Sequence, residues 1–161
     1  MRQVNIYTYA TVKGPGKKSG SFTYLLEYQT GKGTATLTKH GSLEDVSDVQ
    51  ANLQVIIKAL QRLKEKCQVT IYTECQAVKT GIEEWIPKWK SQGWTNAKGK
   101  EVANKKEWQE MAYLLGAHVI LIKAEEQHSY RYWIKTETEK KEKERREQCM
   151  TNMENLTQPQ S

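Results

Sequence analysis

The apolar residues of this chain change their period part-way along, and that change restricts the folds open to it. Residues 3–11 (QVNIYTYAT), 21–29 (SFTYLLEYQ) and 33–39 (GTATLTK) alternate in polarity and are rich in β-branched and aromatic types, the pattern of half-buried strands. The Gly/Pro/Lys stretch Lys13–Gly20 and the short Thr30–Gly31–Lys32 separate them, so the first forty residues read as a three-stranded meander. Ser47 with Gln50 three residues later fits a capping box. Leu53, Ile56, Ile57, Leu60 and Leu63 then recur at helical spacing on one face. An apolar run at 68–74 (QVTIYTE) follows, and strand, helix, strand in that order implies a parallel crossover. Residues 76–92 read as a helix that Pro87 kinks or breaks. A polar Asn/Gly/Lys loop at 95–104, a helix at 105–115, a last strand at 117–123 and a charged helix from Ser129 complete the chain. The sum is an α/β fold: a mixed five-stranded sheet, three strands antiparallel and two parallel, with helices packed on it.

At 161 residues the chain is about one domain. The expected division is a domain over 1–136, with a basic protrusion at about 85–108, followed by a charged helical extension and polar tail over 137–161. No run approaches the ~18 apolar residues of a membrane span, and MRQVNIYTY lacks the apolar centre of a secretory signal. Cys67, Cys75 and Cys149 are odd in number and form no C-x-x-C, so reduced thiols in a cytoplasm are expected. His40, His118 and His128 are scattered, without metal-ligand spacing.

The net charge of +6 is unevenly spread. Residues 1–40 hold Arg2, Lys13, Lys17, Lys18, Lys32 and Lys39 against Glu27 alone. The stretch 85–108 holds six lysines and two glutamates, a local +4, together with four of the five tryptophans. The segment Lys135–Gln148 interleaves both signs and is nearly neutral, as a solvated helix would be. Lysines neutralise phosphates and release counterions, and indole faces stack on bases or sugars at about 1–3 kcal/mol each. The same tryptophans could instead pin a protruding helix pair to itself. Exposed amides and lysines in the Lys13–Gly20 turn could hold a phosphate; a plain hairpin loop is the alternative.

Three stretches carry a family resemblance: VTIYTE (69–74), QAVKTGIEEWIPKWKSQGW (76–94) and KEVANKKEW (100–108). With them, the chain from about Val4 to Trp133 resembles ribonuclease H of the bacterial and eukaryotic single-domain type. The resemblance implies the five-stranded fold, a basic handle that grips duplex, and cleavage of the RNA strand of RNA–DNA hybrids by four carboxylates around two Mg²⁺ ions. Hard cations take oxygen ligands, and the paired metals hold the attacking water and the leaving oxygen.

Carried across residue by residue, the carboxylates are mostly gone. The Asp of the first strand corresponds to Tyr9, the Glu of the first helix to Asn52, and the Asp ending the fourth strand to Glu74. The last Asp, early in the final helix, corresponds approximately to Lys135. A lysine about 4 Å from a divalent ion is repelled by up to about 8 kcal/mol at an effective dielectric of ~20. Rescue by Asp48, Glu125 or Glu126 would need a rebuilt geometry. The loop before the final helix keeps a histidine, His128. Two minor-groove Asn positions read Asp48 and Val49, while Gln50 is kept. The resemblance therefore implies no catalytic residues and no cofactor, with Mg²⁺ or Mn²⁺ needed only if activity is retained.

The expected interface for RNA–DNA hybrid or other duplex is Lys13, Lys17, Lys18, Gln50, Trp85, Lys88, Trp89, Lys90, Trp94, Lys98, Lys100, Asn104, Lys105 and Lys106. The leading expectation is thus a nuclease-inactive, nucleic-acid-binding member of the fold. An active ribonuclease with a rebuilt metal site is the alternative, and a protein-interaction or assembly domain with a protein partner the third. No membrane partner is expected.

Overall fold

The computed structural model describes residues 1–125 and 127–157. Glu126, and the tail beyond Thr157, lie outside the described residues. Five strands form one sheet in the order β3-β2-β1-β4-β5: β1 Arg2–Ala10, β2 Lys18–Thr30, β3 Gly33–Val46, β4 Cys67–Tyr72 and β5 Val119–Lys123. β1 runs antiparallel to β2 and parallel to β4, and β4 runs parallel to β5. The fold is the expected mixed α/β sheet.

Alternation along β1 sorts its side chains between two cores. Val4, Ile6 and Ala10 face the larger one, beneath helix α1 (Asp48–Leu60) and α4 (Lys105–Gly116). Tyr7 and Tyr9 face a smaller one with Leu25 and Ile134, covered by α5 (Arg131–Thr157). Ser47 Oγ accepts the Gln50 N–H at 3.2 Å and caps α1, as its spacing suggests.

Several boundaries differ from the sequence reading. β3 extends to Val46 instead of stopping at 39, and its far half pairs with β2 back to Lys18. The alternation is lost at His40–Gly41–Ser42, but Gly41 is needed there: a Cβ would collide with the Phe22 ring. β5 starts at Val119, because Ala117 is still the C-cap of α4. The 76–92 helix is three pieces: α2 Gln76–Thr80, a π-helical turn Gly81–Trp85, and α3 Ile86–Ser91. Pro87 sits in the first turn of α3, so the irregular backbone lies upstream of it. Proline crowds the carbonyl four residues earlier, and the wider turn accommodates it.

α5 runs unbroken through 136 and 137, and Thr138 and Glu142 beyond that point are buried against the sheet. Thr138 Oγ1 donates to Thr23 Oγ1 at 2.6 Å, and Thr23 in turn shares a 2.7 Å hydrogen bond with His40 Nδ1. Ser21 Oγ donates to Glu142 Oε1 at 3.0 Å, while Arg145 and Arg146 donate to the same carboxylate at 2.6–2.9 Å. Burial alone would raise the Glu142 carboxyl. The donors from Arg145, Ser21 and Arg146 outweigh it and hold the group below the usual glutamate range.

Two stability predictions follow from this packing. Gly81 lies under the Trp108 ring, where a Cβ would clash. Gly81→Ala should cost about 1–3 kcal/mol in denaturant unfolding. Glu142→Gln should cost about 1–3 kcal/mol at neutral pH by removing charge-assisted hydrogen bonds. Because the folded group is held low, its contribution is present above the ordinary Glu value of about 4.3. It is lost as pH falls through the depressed folded value. The stability difference between wild type and variant should therefore close in acid, as a pH series of melts would show.

Candidate functional site

The C-terminal ends of the parallel strands β1 and β4 open onto a cavity of about 210 Å³. β1 contributes Tyr9, the first two turns of α1 contribute Asp48 and Asn52, the residue pair after β4 contributes Glu74 and Cys75, and Lys13 enters from the β1–β2 loop. The structure thus brings Tyr9, Asn52 and Glu74 together around one space. Asn52 Nδ2 is turned back on its own helix, donating to Asp48 O at 2.9 Å and Asp48 Oδ1 at 3.0 Å. Burial raises the Asp48 carboxyl against the pull of Lys13 and Asn52.

Glu74 is held between two cations. Arg131 Nε lies 2.9 Å from Glu74 Oε1, and Lys13 Nζ lies 3.3 Å from Oε2. The Arg131 contact is Coulombic: among the described residues, Glu74 Oε1 and Arg131 Nε and Nη1 have no aligned hydrogen-bond partner. Lys13 also donates to the Tyr9 hydroxyl at 3.1 Å, and that hydroxyl donates to Glu139 Oε1 at 3.1 Å. The Lys13 ammonium and the Arg131 guanidinium lie 4.6 Å and 5.9 Å from the centroid of the Tyr9 ring. Burial raises the Tyr9 phenol despite Lys13. Burial works against the Lys13 charge, but Tyr9 and Glu74 outweigh it and hold the ammonium above its ordinary value.

The cation opposite Glu74 is therefore Arg131, not Lys135. Lys135 stands one helical turn further along α5 and lines a neighbouring depression with Tyr9, Lys13 and Glu139. Sequence spacing missed this because the loop before α5 leaves the helical register open. His128 is also displaced from the site chemistry. It packs 4.7 Å from Tyr7 and 5.7 Å from Tyr72, and its Nδ1 accepts the Tyr130 N–H at 3.2 Å. Burial, with Arg131 nearby, lowers its basicity. In the same cluster burial, and then Glu27, push the Tyr7 phenol up to about 12.

This donor set does not fit a pair of divalent cations. Such ions take carboxylate oxygens, whereas the cavity offers a phenol, an amide, the Asp48 carboxylate bonded to that amide, and the Glu74 carboxylate already paired with two side-chain cations. Among the described residues, no group of three His, Cys, Asp or Glu side chains is placed to share a metal. Of the proposed rescuing residues, Asp48 lines the cavity and Glu126 lies outside the described residues.

The four tryptophans between residues 85 and 108 pack on one another. Trp89 lies 5.7 Å from Trp85, 6.2 Å from Trp94 and 5.4 Å from Trp108 between ring centroids. Trp108 is buried, Trp89 and Trp94 are half-buried against the main core, and Trp85 keeps an exposed edge. Their faces pack on each other and on the core, so little of Trp89 and Trp94 is left to solvent. Lys88, Lys90, Lys98, Lys100 and Lys106 are exposed around them. Asn96 Oδ1 accepts the Lys98 and Lys100 N–H groups at 2.9 and 3.0 Å and shapes the loop that presents both lysines. Lys105 pairs with Glu101 at 3.0 Å, and Asn104 takes a left-handed conformation to start α4. Gln50 donates to Glu107 Oε1 at 2.8 Å, tying α1 to α4. Lys17 is exposed on the β1–β2 loop and Lys18 at the start of β2, where it donates to the Lys13 carbonyl.

Comparison with known proteins places this geometry. The RNase H family model matches residues 1–131. Ribonuclease H of Francisella tularensis subsp. novicida is 44% identical over 79 residues, covering 49% of this chain and 52% of that protein. Ribonuclease H of Francisella philomiragia is 42% identical over 78 residues, covering 48% and 51%. The chain thus spans about half the length of the curated relatives it matches. LC9-RNase H1, described as a type 1 RNase H with the type 2 active-site motif, superposes with a TM-score of 0.73 at 18% identity, covering 88% of this chain and 72% of that one. The RNase H domain of prototype foamy virus gives 0.57 at 19% identity, covering 86% and 90%. On its matched length and its strand order, this chain belongs to the ribonuclease H family.

Proposed function

We propose that this chain binds a nucleic-acid duplex, with RNA–DNA hybrid the first candidate, and does not cut it. The observation that carries the reading is Glu74 held between Lys13 and Arg131, beside Tyr9 and Asn52, where the family resemblance implies a carboxylate cluster. Exposed lysines on the handle support a grip on phosphates. LC11-RNase H1 and the foamy viral protease-reverse transcriptase were solved with RNA/DNA hybrid, which supports a hybrid partner through the shared fold alone. Three free cysteines support work in a reducing compartment such as a cytoplasm. Among the described residues, no helix is long and apolar enough to cross a membrane.

Binding and cleavage of a labelled hybrid, scored together in Mg²⁺ or Mn²⁺, test the reading. Binding should fall steeply between low and physiological salt, with a log–log slope of roughly −0.9 per phosphate contact. The hybrid should stay intact. Reversing the charge of Lys98, Lys100, Lys105 and Lys106 should abolish binding. Metal-dependent cleavage lost in Glu74→Ala would instead establish an active enzyme with a rebuilt site. Absence of binding even at low salt would leave a protein partner as the function to pursue.

A second prediction concerns the cavity. Calorimetric titration with MgCl₂ should give no saturable binding. The triple variant Tyr9→Asp, Asn52→Glu, Arg131→Asp should gain it, because it restores oxygen ligands and removes one trapped cation.

A further inference from the structure

A second depression, of about 380 Å³, lies between the end of β1 and the flank of α5. It shares Tyr9 and Lys13 with the cavity beside Glu74, so the two meet at that pair of side chains. Lys13, Lys135, Lys143 and Arg146 line it, with Glu139 and Glu142 as the opposing charges. Lys135, Glu139 and Lys143 follow one another at i,i+4 and so share one flank of the helix.

The two glutamates do not cancel the cations of this flank. Glu142 points to the sheet and is held by Ser21, Arg145 and Arg146. Glu139 accepts the Tyr9 hydroxyl and keeps its charge, which offsets one of the two lysines Lys135 and Lys143 and leaves the flank positive. Among the described residues, Lys135 and Lys143 form no ion pair within 4.0 Å. The cavity on the other side of Tyr9 is balanced, with Lys13 and Arg131 facing Asp48 and Glu74. The excess positive charge therefore sits on the α5 side of Tyr9 and not in the cavity.

We infer that this α5 groove is a second phosphodiester-binding site, taking the backbone of one nucleic-acid strand that runs past the closed cavity. The inference rests on the proposed duplex binding and deepens it by naming where a strand is held away from the handle. Lys135 and Lys143 supply the phosphate contacts. Tyr9 and Lys13 form the lip over which the strand passes, and the α5 flank supplies the wall. The ligand class is a polyanionic backbone read without regard to base, because the groove presents cations and few groups that discriminate base edges.

The test is the salt dependence of RNA–DNA hybrid binding by the full chain and by Lys135→Gln/Lys143→Gln. Two lost phosphate contacts should make the log–log slope shallower by about 1.4–1.8. Between ~50 and ~200 mM salt, the fall in affinity should then be roughly tenfold smaller than in the wild type. Lys143→Glu alone, at an exposed position, should weaken binding without changing the melting temperature. Lys135→Arg/Lys143→Arg should keep the wild-type slope. A wild type that binds with a steep slope, and a double Gln variant with the same slope and affinity, would overturn the groove while leaving the handle reading intact. A wild type that does not bind at low salt would overturn the duplex reading itself, and the groove with it.

Discussion

β1 pairs antiparallel with β2 along one edge and parallel with β4 along the other, and it is buried on both faces. A strand so placed needs an apolar layer on each side. The larger layer is supplied by α1 and α4, the smaller by α5. Because side chains alternate, Ala10 joins one layer and Tyr9 the other, and the end of the strand is where the two layers meet. The cavity forms at that seam. Its chemistry is decided by what β1, the turn after β4 and α5 each present there: Tyr9, Glu74 and Arg131.

The buried polar clasp under α5 depends on the same arrangement. Thr23 and Ser21 on β2 face the helix, and Thr138 and Glu142 reach back to them. Those contacts fix the rotation of α5 about its axis. That rotation decides that Arg131 meets Glu74 and that Lys135 and Lys143 look along the flank. A satisfied buried network is well suited to setting a register, since a turned helix would leave several buried groups unpaired.

Elements whose period is regular could be read from the sequence, and those governed by distant partners could not. β1, α1 and β4 show clean alternation or helical spacing; both strands fall within two residues of expectation, and α1 starts at its cap but ends at Leu60, short of the expected Leu63. The far half of β3 is hidden because His40–Gly41–Ser42 is polar, and its value lies in a ring on the next strand. The π turn before Pro87 owes its packing to Trp108, 27 residues beyond Gly81 in the chain. Composition located the tryptophans together but carried no information on whether their faces met each other or solvent. At the site, the identities of Tyr9, Asn52 and Glu74 were legible from motif position. The role of Arg131 was not, because a loop of undefined geometry precedes it.

The two cations beside Glu74 also decide what a further carboxylate at this seam would meet. In a metal site, a carboxylate at position 9 would find an ion to bind. Here it would find Lys13 and Arg131 within reach and become one more member of a salt-bridge cluster. A pocket able to hold a divalent ion would need acids added and bases removed together. Acid and base are therefore coupled at this seam: a carboxylate placed there is free for a metal only when its neighbouring cations are gone.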